Sequence, residues 1–300
     1  MSATLAPRPQ TSDPRTPRPP VSRPRVPRTP KDVRSTTTPL VPVADRRWAR
    51  YLVPALVPAL LVAIYQLISG SSPYLPGIGE IAAASRQMWT GPGFSVNVVP
   101  SLTNLAVGYL AGLVLGLAVG VALGRAVVLR ELLAPVIAFG LNLPGVAMLP
   151  VFLIAFGIGP RMQQGVIAFA VFFVVVINTT AGVRNTDPLL LDMARVYRLP
   201  RWRRICQVIL PAASVSVLAG ARVGLSAALL VMVVGEMVGA SNGIGAQTLL
   251  AQQNFDYAQM WAGIVLLAAL GIVLNLGFLA LERRLTHRLR LPAANLQETS

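Results

Sequence analysis

Apolar residues run through this chain in long unbroken blocks. Six of them, residues 49–69, 98–124, 132–157, 163–182, 214–235 and 259–281, are long enough to cross a hydrocarbon layer of about 30 Å as helices. A membrane β-barrel would alternate apolar and polar residues over segments of about ten, and these blocks have no such period. The pattern predicts an all-α, polytopic membrane bundle of about six transmembrane helices.

Two blocks carry internal structure. In the second, Gly108, Gly112, Gly116, Gly120 and Gly124 recur every four residues, which lines one helix face with a groove that another backbone can approach closely. These five are helix-packing candidates. The third block contains Pro135, Pro144 and Pro150, each of which removes a backbone hydrogen bond and crowds the preceding turn. Freed carbonyls at membrane depth need protein or a water-filled cavity around them. Asn142, Pro144 and Gly145 at its centre are therefore candidates for a pathway wall. Pro54 and Pro58 are expected only to bend the first block.

Composition agrees: 54% of residues are hydrophobic and 12% charged. The charge is positional. With a cytoplasmic N-terminus, the external segments hold only Arg86 and Arg161 of the 26 basic residues, Arg222 being counted near the inner border. Both termini are then expected in the cytoplasm. The net charge of +15 thus records topology, and nucleic acid is not an expected partner. Residues 1–45, with eleven prolines and repeated Arg-Pro and Thr-Pro pairs, read as a disordered cytoplasmic tail held near anionic membrane lipid. Residues 46–285 form the membrane domain, and 286–300 a second cytoplasmic tail.

Rare residues exclude several chemistries. The only lysine, Lys31, lies in the tail, so there is no Gly-Lys-Ser/Thr loop to cradle ATP phosphates. The only histidine, His287, and the only cysteine, Cys206, can assemble neither a zinc site, a Ser-His-Asp triad nor a disulfide. No metal, cofactor or catalytic residue is expected, and the chain is not expected to be an enzyme. Glu236 is the one carboxylate close to hydrocarbon, a candidate for pathway lining or for a hydrogen-bonded structural role.

Residues 183–213 form the longest connection on the cytoplasmic side. Asp187 and Pro188 favour helix initiation, predicting a short helix through about Tyr197 with Leu190, Ala194 and Tyr197 on one face. After Pro200 the sequence RWRRICQVIL predicts a second amphipathic helix, with Trp202, Ile205 and Ile209 on one side, limited by Pro211. On these grounds alone the pair could lie in the lipid headgroups.

The spacing of Asp192, Ala194, Val208, Leu210 and Pro211 resembles the EAA loop of bacterial ABC importer permeases: EAA, three residues, Gly, nine residues, Ile-x-Leu-Pro. LPVFLIAFGIG, NTTAGVRNTDPLLLDMARVY and VVGEMVGASNGIG are similar to the nitrate, sulfonate and taurine branch, over roughly residues 98–285. The resemblance implies a coupling helix that docks on a separate ABC ATPase subunit, through Asp192, Met193, Ala194, Arg195, Tyr197, Arg198, Leu210 and Pro211. It further implies a homodimer, an extracytoplasmic solute-binding protein, ATP and Mg used by the partner subunit, and a small solute such as nitrate, an alkanesulfonate or taurine as cargo. Met193 stands where the pattern has its second alanine and Arg198 where it has glycine. If that turn needs positive φ, the arginine costs on the order of 1 kcal/mol. An ion-gradient-driven carrier or channel is the competing expectation, with Glu236 its only candidate coupling group.

Overall fold

The computed structural model describes residues 74–288, together with 62–69 and the single positions Leu56 and Leu60. The N-terminal tail, Pro54 and Pro58, Lys31 and residues 289–300 lie outside the described residues. Within them the order is α1 (Ile78–Thr90), α2 (Val99–Arg125), α3 (Val127–Asn142), α4 (Leu149–Phe156), α5 (Pro160–Arg184), α6 (Pro188–Val196), α7 (Arg201–Arg204), α8 (Leu210–Gly239), α9 (Ile244–Gln253) and α10 (Tyr257–Arg288). By length and apolar composition, four described stretches can cross a membrane: Phe94–Arg125, Pro160–Arg184, Arg201–Gly239 and Tyr257–Thr286. A fifth is available if α3 and the segment Gly145–Phe156 are one broken span.

The glycine repeat decides that question. A Cβ added to Gly108, Gly112, Gly116, Gly120 or Gly124 would come within 2.8 Å of α5. The side chains met are Ile167, Val171, Val175, Thr179 and Val183, a ridge of β-branched residues with the same four-residue spacing. Such residues have few χ1 choices, so the ridge is stiff and fits a groove with no side chains of its own. Residue number rises in the same direction along both helices, so α2 and α5 are parallel. Two parallel spans require the chain between them to recross the membrane, which makes the α3–α4 segment a span.

That span is bent by 96°. Leu143 precedes Pro144 and is driven out of the helical region, with ψ 116°, and Pro144 follows at ψ 125°. A short 3₁₀ turn, Gly145–Met148, leads into α4, whose Pro150 sits harmlessly in the first turn. Pro135, by contrast, is accommodated inside α3.

Helix α8 lies antiparallel against α5: Gly182 meets Ala213 and Ser216, Gly220 meets Asn178, and Gly239 meets Met162. The main core, with Leu105, Val166, Val171, Ala228 and Met232, is the seam of α2, α5 and α8. Polar side chains cross it at chosen points. Asn104 Nδ2 donates to Gln163 Oε1 at 2.6 Å and its Oδ1 accepts from Gln164 Nε2 at 2.9 Å, while Tyr109 Oη donates to the Ala221 carbonyl at 3.0 Å.

One expectation is corrected. Pro211 does not end the helix begun at Arg201; the chain stays helical from Arg201 to Gly239. A π turn, Ile205–Ile209, opens the spiral just before it, with the Leu210 amide reaching back to the Ile205 carbonyl. The wider turn makes room for the proline ring, whose clash with the preceding turn would otherwise kink the helix. The same arrangement recurs ahead of Pro100, where Phe94–Val98 forms a π turn and the Val99 amide bonds to Phe94.

Candidate functional site

Helix α6 is closed at both ends by side-chain and backbone chemistry. Asp187 Oδ1 accepts from the Leu189 amide at 2.8 Å, with Pro188 in the first turn. At the other end the Arg198 amide donates to Arg195 at 2.9 Å and the Leu199 amide to Ala194 at 3.0 Å. This pair of bonds is a Schellman closure, in which the residue after the cap adopts left-handed geometry. That residue is Arg198, at φ 49°. The motif's glycine therefore has a physical reason, and this chain places an arginine in glycine's conformation. Arg198→Gly is expected to stabilise the loop by about 1 kcal/mol, because a side chain is disfavoured there by that amount. Slower hydrogen exchange across residues 188–199 would register it.

Burial sorts the predicted loop residues and corrects their grouping. Ala194 is 2% exposed, and it shares the inward side of α6 with Leu191, which packs on the buried cluster of Val183, Ile209 and Ala213. Leu190 and Tyr197 do not share that side; both are exposed. So are Leu189, Met193 and Val196, the last 80% exposed, with Tyr197 at 75%. Asp192 and Arg195 pair with each other at 2.7 Å in solvent. Trp202, expected beside Ile205 and Ile209, is 74% exposed, whereas Ile209 is fully buried. Leu210 and Pro211 are half-buried in the first turn of α8. The arrangement presents an apolar surface of Leu189, Met193, Val196, Tyr197 and Trp202, while Ala194 is the small residue that lets α6 sit close on its support.

The break at residues 143–145 opens on a cavity of about 540 Å³. Pro144, Gly145, Phe169, Phe173, Ser226 and Leu230 are among its lining residues. Gly145 fits tightly: an added Cβ would stand 2.9 Å from the Ala170 Cβ and 3.2 Å from Val231. Asn142 is placed elsewhere. Its Nδ2 donates to the Ala138 carbonyl at 2.8 Å, and it borders a second hollow of about 430 Å³ with Arg130 and Arg184.

Glu236 is also placed away from that cavity. It is 1% exposed, and its Oε2 accepts from the Gly245 amide at 2.8 Å. The neighbouring amides are satisfied from α2 and the turn before it: Ile244 N donates to Ser101 Oγ at 3.0 Å and Gly243 N to Asn97 Oδ1 at 3.2 Å. Three successive amides at the start of α9 thus meet three side chains from two other segments. A carboxylate at a helix N-terminus gains from both the free amides and the helix dipole. Asn97 and Ser101 were not legible as partners, since polar residues near the start of an apolar block do not declare a tertiary role. Glu236→Ala, which strands the Gly245 amide, is expected to destabilise the protein by about 2 kcal/mol, whereas Glu236→Gln retains an acceptor and loses less. Thermal unfolding in detergent compares the two.

Residues 112–290 match the family described as "Binding-protein-dependent transport system inner membrane component". A Bacillus subtilis protein named as an aliphatic sulfonates transport permease, SsuC, is 32% identical over 234 residues, covering 77% of this chain and 85% of its own length. The taurine transport system permease protein TauC of Escherichia coli is 32% identical over 190 residues, covering 63% and 69% respectively. Among solved structures, an inward-facing form of the MetNI methionine ABC transporter shares the fold, with a TM-score of 0.57 at 20% identity over 63% of this chain and 94% of that one.

Proposed function

The chain belongs to the family of binding-protein-dependent transport system inner membrane components, and from that premise we propose that it carries a small oxyanion such as an alkanesulfonate, taurine or nitrate into the cell. It is a multi-pass inner-membrane permease subunit of an ABC importer. Such permeases work with an ATPase subunit and a binding protein, so the chain's contribution is the route and the coupling, not hydrolysis. ATP and Mg belong to the ATPase partner.

The observation that carries the coupling role is α6. It is short, capped at both ends, seated on the base of α8, and has Val196 and Tyr197 facing outward. A rigid stub with an apolar outer surface is suited to transmit displacement from a docked partner to a span. ATP binding would draw two ATPase subunits together, and α6 would pass that movement to the Arg201–Gly239 helix. Two copies of the chain would face each other across the route, both termini lying in the cytoplasm. Apolar side chains on α3, including Leu132, Val136 and Phe139, remain exposed for membrane lipid or a second copy.

The cavity at Pro144 and Gly145 would form part of the route. The names of the relatives support the cargo class. Ser226→Leu is expected to fill the cavity and lower uptake about tenfold or more, with the ATPase still bound, since this exposed side chain lines the cavity away from α6. Uptake of ethanesulfonate into proteoliposomes containing the full complex measures this. Uptake at the unmodified rate, or loss of the ATPase from this variant, would remove the cavity from the route.

A further inference from the structure

The spans hold one charge deep within them that the coupling and packing arguments leave unused. Arg222 sits in α8, roughly 18 Å along the helix from Leu210 and about 25 Å from Gly239 at the rise of an α-helix. Its neighbours are on two other helices: Gly220 packs on Asn178 of α5, six residues before that helix ends at Arg184, and Arg222 reaches Asn275 of α10. The side chain is half-buried.

Its partnering is incomplete. Arg222 Nε donates to Asn275 Oδ1 at 3.2 Å, a neutral acceptor. Among the described residues the one ion pair within 4.0 Å is Asp192–Arg195, so no carboxylate neutralises Arg222. Glu236, the other ionisable group within α8, is engaged at the start of α9. The two Nη groups, four N–H donors in a planar fork, have no protein acceptor among the described residues. A cation at such depth is expensive unless it faces water or meets an anion. Position supplies the direction. Arg222 and Ser226 are four residues apart and so share a face of α8. Ser226 lines the cavity beside Pro144 and Gly145; Arg222 lies one turn along α8, outside the cavity lining, with its Nε turned to Asn275 of α10.

We propose that Arg222 is an oxyanion-binding residue of the route, where the fork formed by its Nη groups takes two oxygens of a sulfonate-type cargo leaving the cavity, held in orientation by Asn275. A guanidinium is suited to this because its paired donors match the spacing of oxygens on such a group. The site deepens the importer reading and rests on it. A phosphate headgroup offers the same oxygens, and the experiment below separates that source from a water-borne anion.

The test uses the complete complex in nanodiscs, with Cys206→Ala removing the native thiol and Ser226→Cys placing a reporter in the cavity. Two water-borne thiol reagents are compared: a sulfonatoethyl and a trimethylammonioethyl methanethiosulfonate. With Arg222 present, the sulfonate reagent is expected to react faster relative to the cationic one, and Arg222→Gln is expected to reduce that preference about tenfold through loss of local focusing. Arg222→Lys keeps the charge and should keep most of the preference, which separates the effect from misfolding. An unchanged ratio on Arg222→Gln would mean that the guanidinium serves a lipid headgroup, and would overturn the proposal. A reporter unreactive to both reagents would overturn it as well. Neither result needs cargo identity or ATP turnover, so both leave the importer reading standing. Failure of that reading would show instead as absence of the ATPase from the purified complex.

Discussion

Replacing Gly112 with valine is expected to leave little or no monodisperse folded protein in detergent, while Gly277→Ala in the last span behaves as the unmodified chain. At Gly112 an added Cβ would stand 2.6 Å from the Ala168 carbonyl oxygen and 2.8 Å from the Val171 Cβ. A carbonyl within a helix cannot rotate aside, so α2 and α5 must separate. Separation at one rung lifts its neighbours, because a Cβ added at Gly108 or Gly116 would likewise stand 2.8 Å from the same ridge. Overpacking of a close-packed core costs about 1–3 kcal/mol, and a backbone-limited contact belongs at or above the upper end. At Gly277 a Cβ would meet nothing within 4 Å, and loss of glycine's backbone freedom should even favour the helix. Size-exclusion profiles and thermal midpoints of the two variants compare directly. Equal midpoints would mean that α2 and α5 do not interlock in this register, and with it would fall the argument that α3 and α4 form a crossing.

The second large effect is expected at α6. Val196→Asp together with Tyr197→Asp should release the ATPase subunit while leaving the permease folded. Both side chains point away from the protein, at 80% and 75% exposed, so neither substitution disturbs the core. In a docked complex, however, each aspartate would be buried without a partner where an apolar group had been. Losing two such anchors costs about 4 kcal/mol, roughly a thousandfold in affinity. Ala194→Glu would be a poorer test despite its central place in the motif. That residue is 2% exposed, and a carboxylate there would lift α6 off its support, mixing unfolding with undocking. Co-purification at equal yields of permease reads the difference.

Much of this architecture was open to inspection in the sequence, for reasons that differ residue by residue. The four-residue glycine spacing in α2 declares a groove, because nothing else explains five glycines on one face of an apolar helix. Its counterpart on α5 was silent, since Ile167, Val171 and Val175 stand in a block where nearly every residue is apolar. The break at Pro144 was readable from the prolines, whereas its 96° angle depends on where α4 finds its packing against α5. The continuity of the helix through Pro211 was missed because a π turn has no composition of its own. Arg198 was the reverse case: a departure from a pattern pointed to left-handed backbone, and φ is 49°. Glu236 was readable as unusual, but its task was not. It accepts from the Gly245 amide, and the two preceding amides of the same turn go to Asn97 and Ser101, more than a hundred residues away.

The central claim is that this chain moves its cargo only when coupled to a separate ATPase. The most direct measurement is uptake of ethanesulfonate into proteoliposomes containing the permease and the ATPase subunit that co-purifies with it, with the binding protein supplied on the outer side and ATP enclosed. Uptake that requires ATP, the ATPase and the binding protein, and that is indifferent to proton or sodium gradients, is the predicted result. Uptake by the permease alone, set by an ion gradient and unchanged by ATP, would contradict the account and identify a gradient-driven carrier in its place.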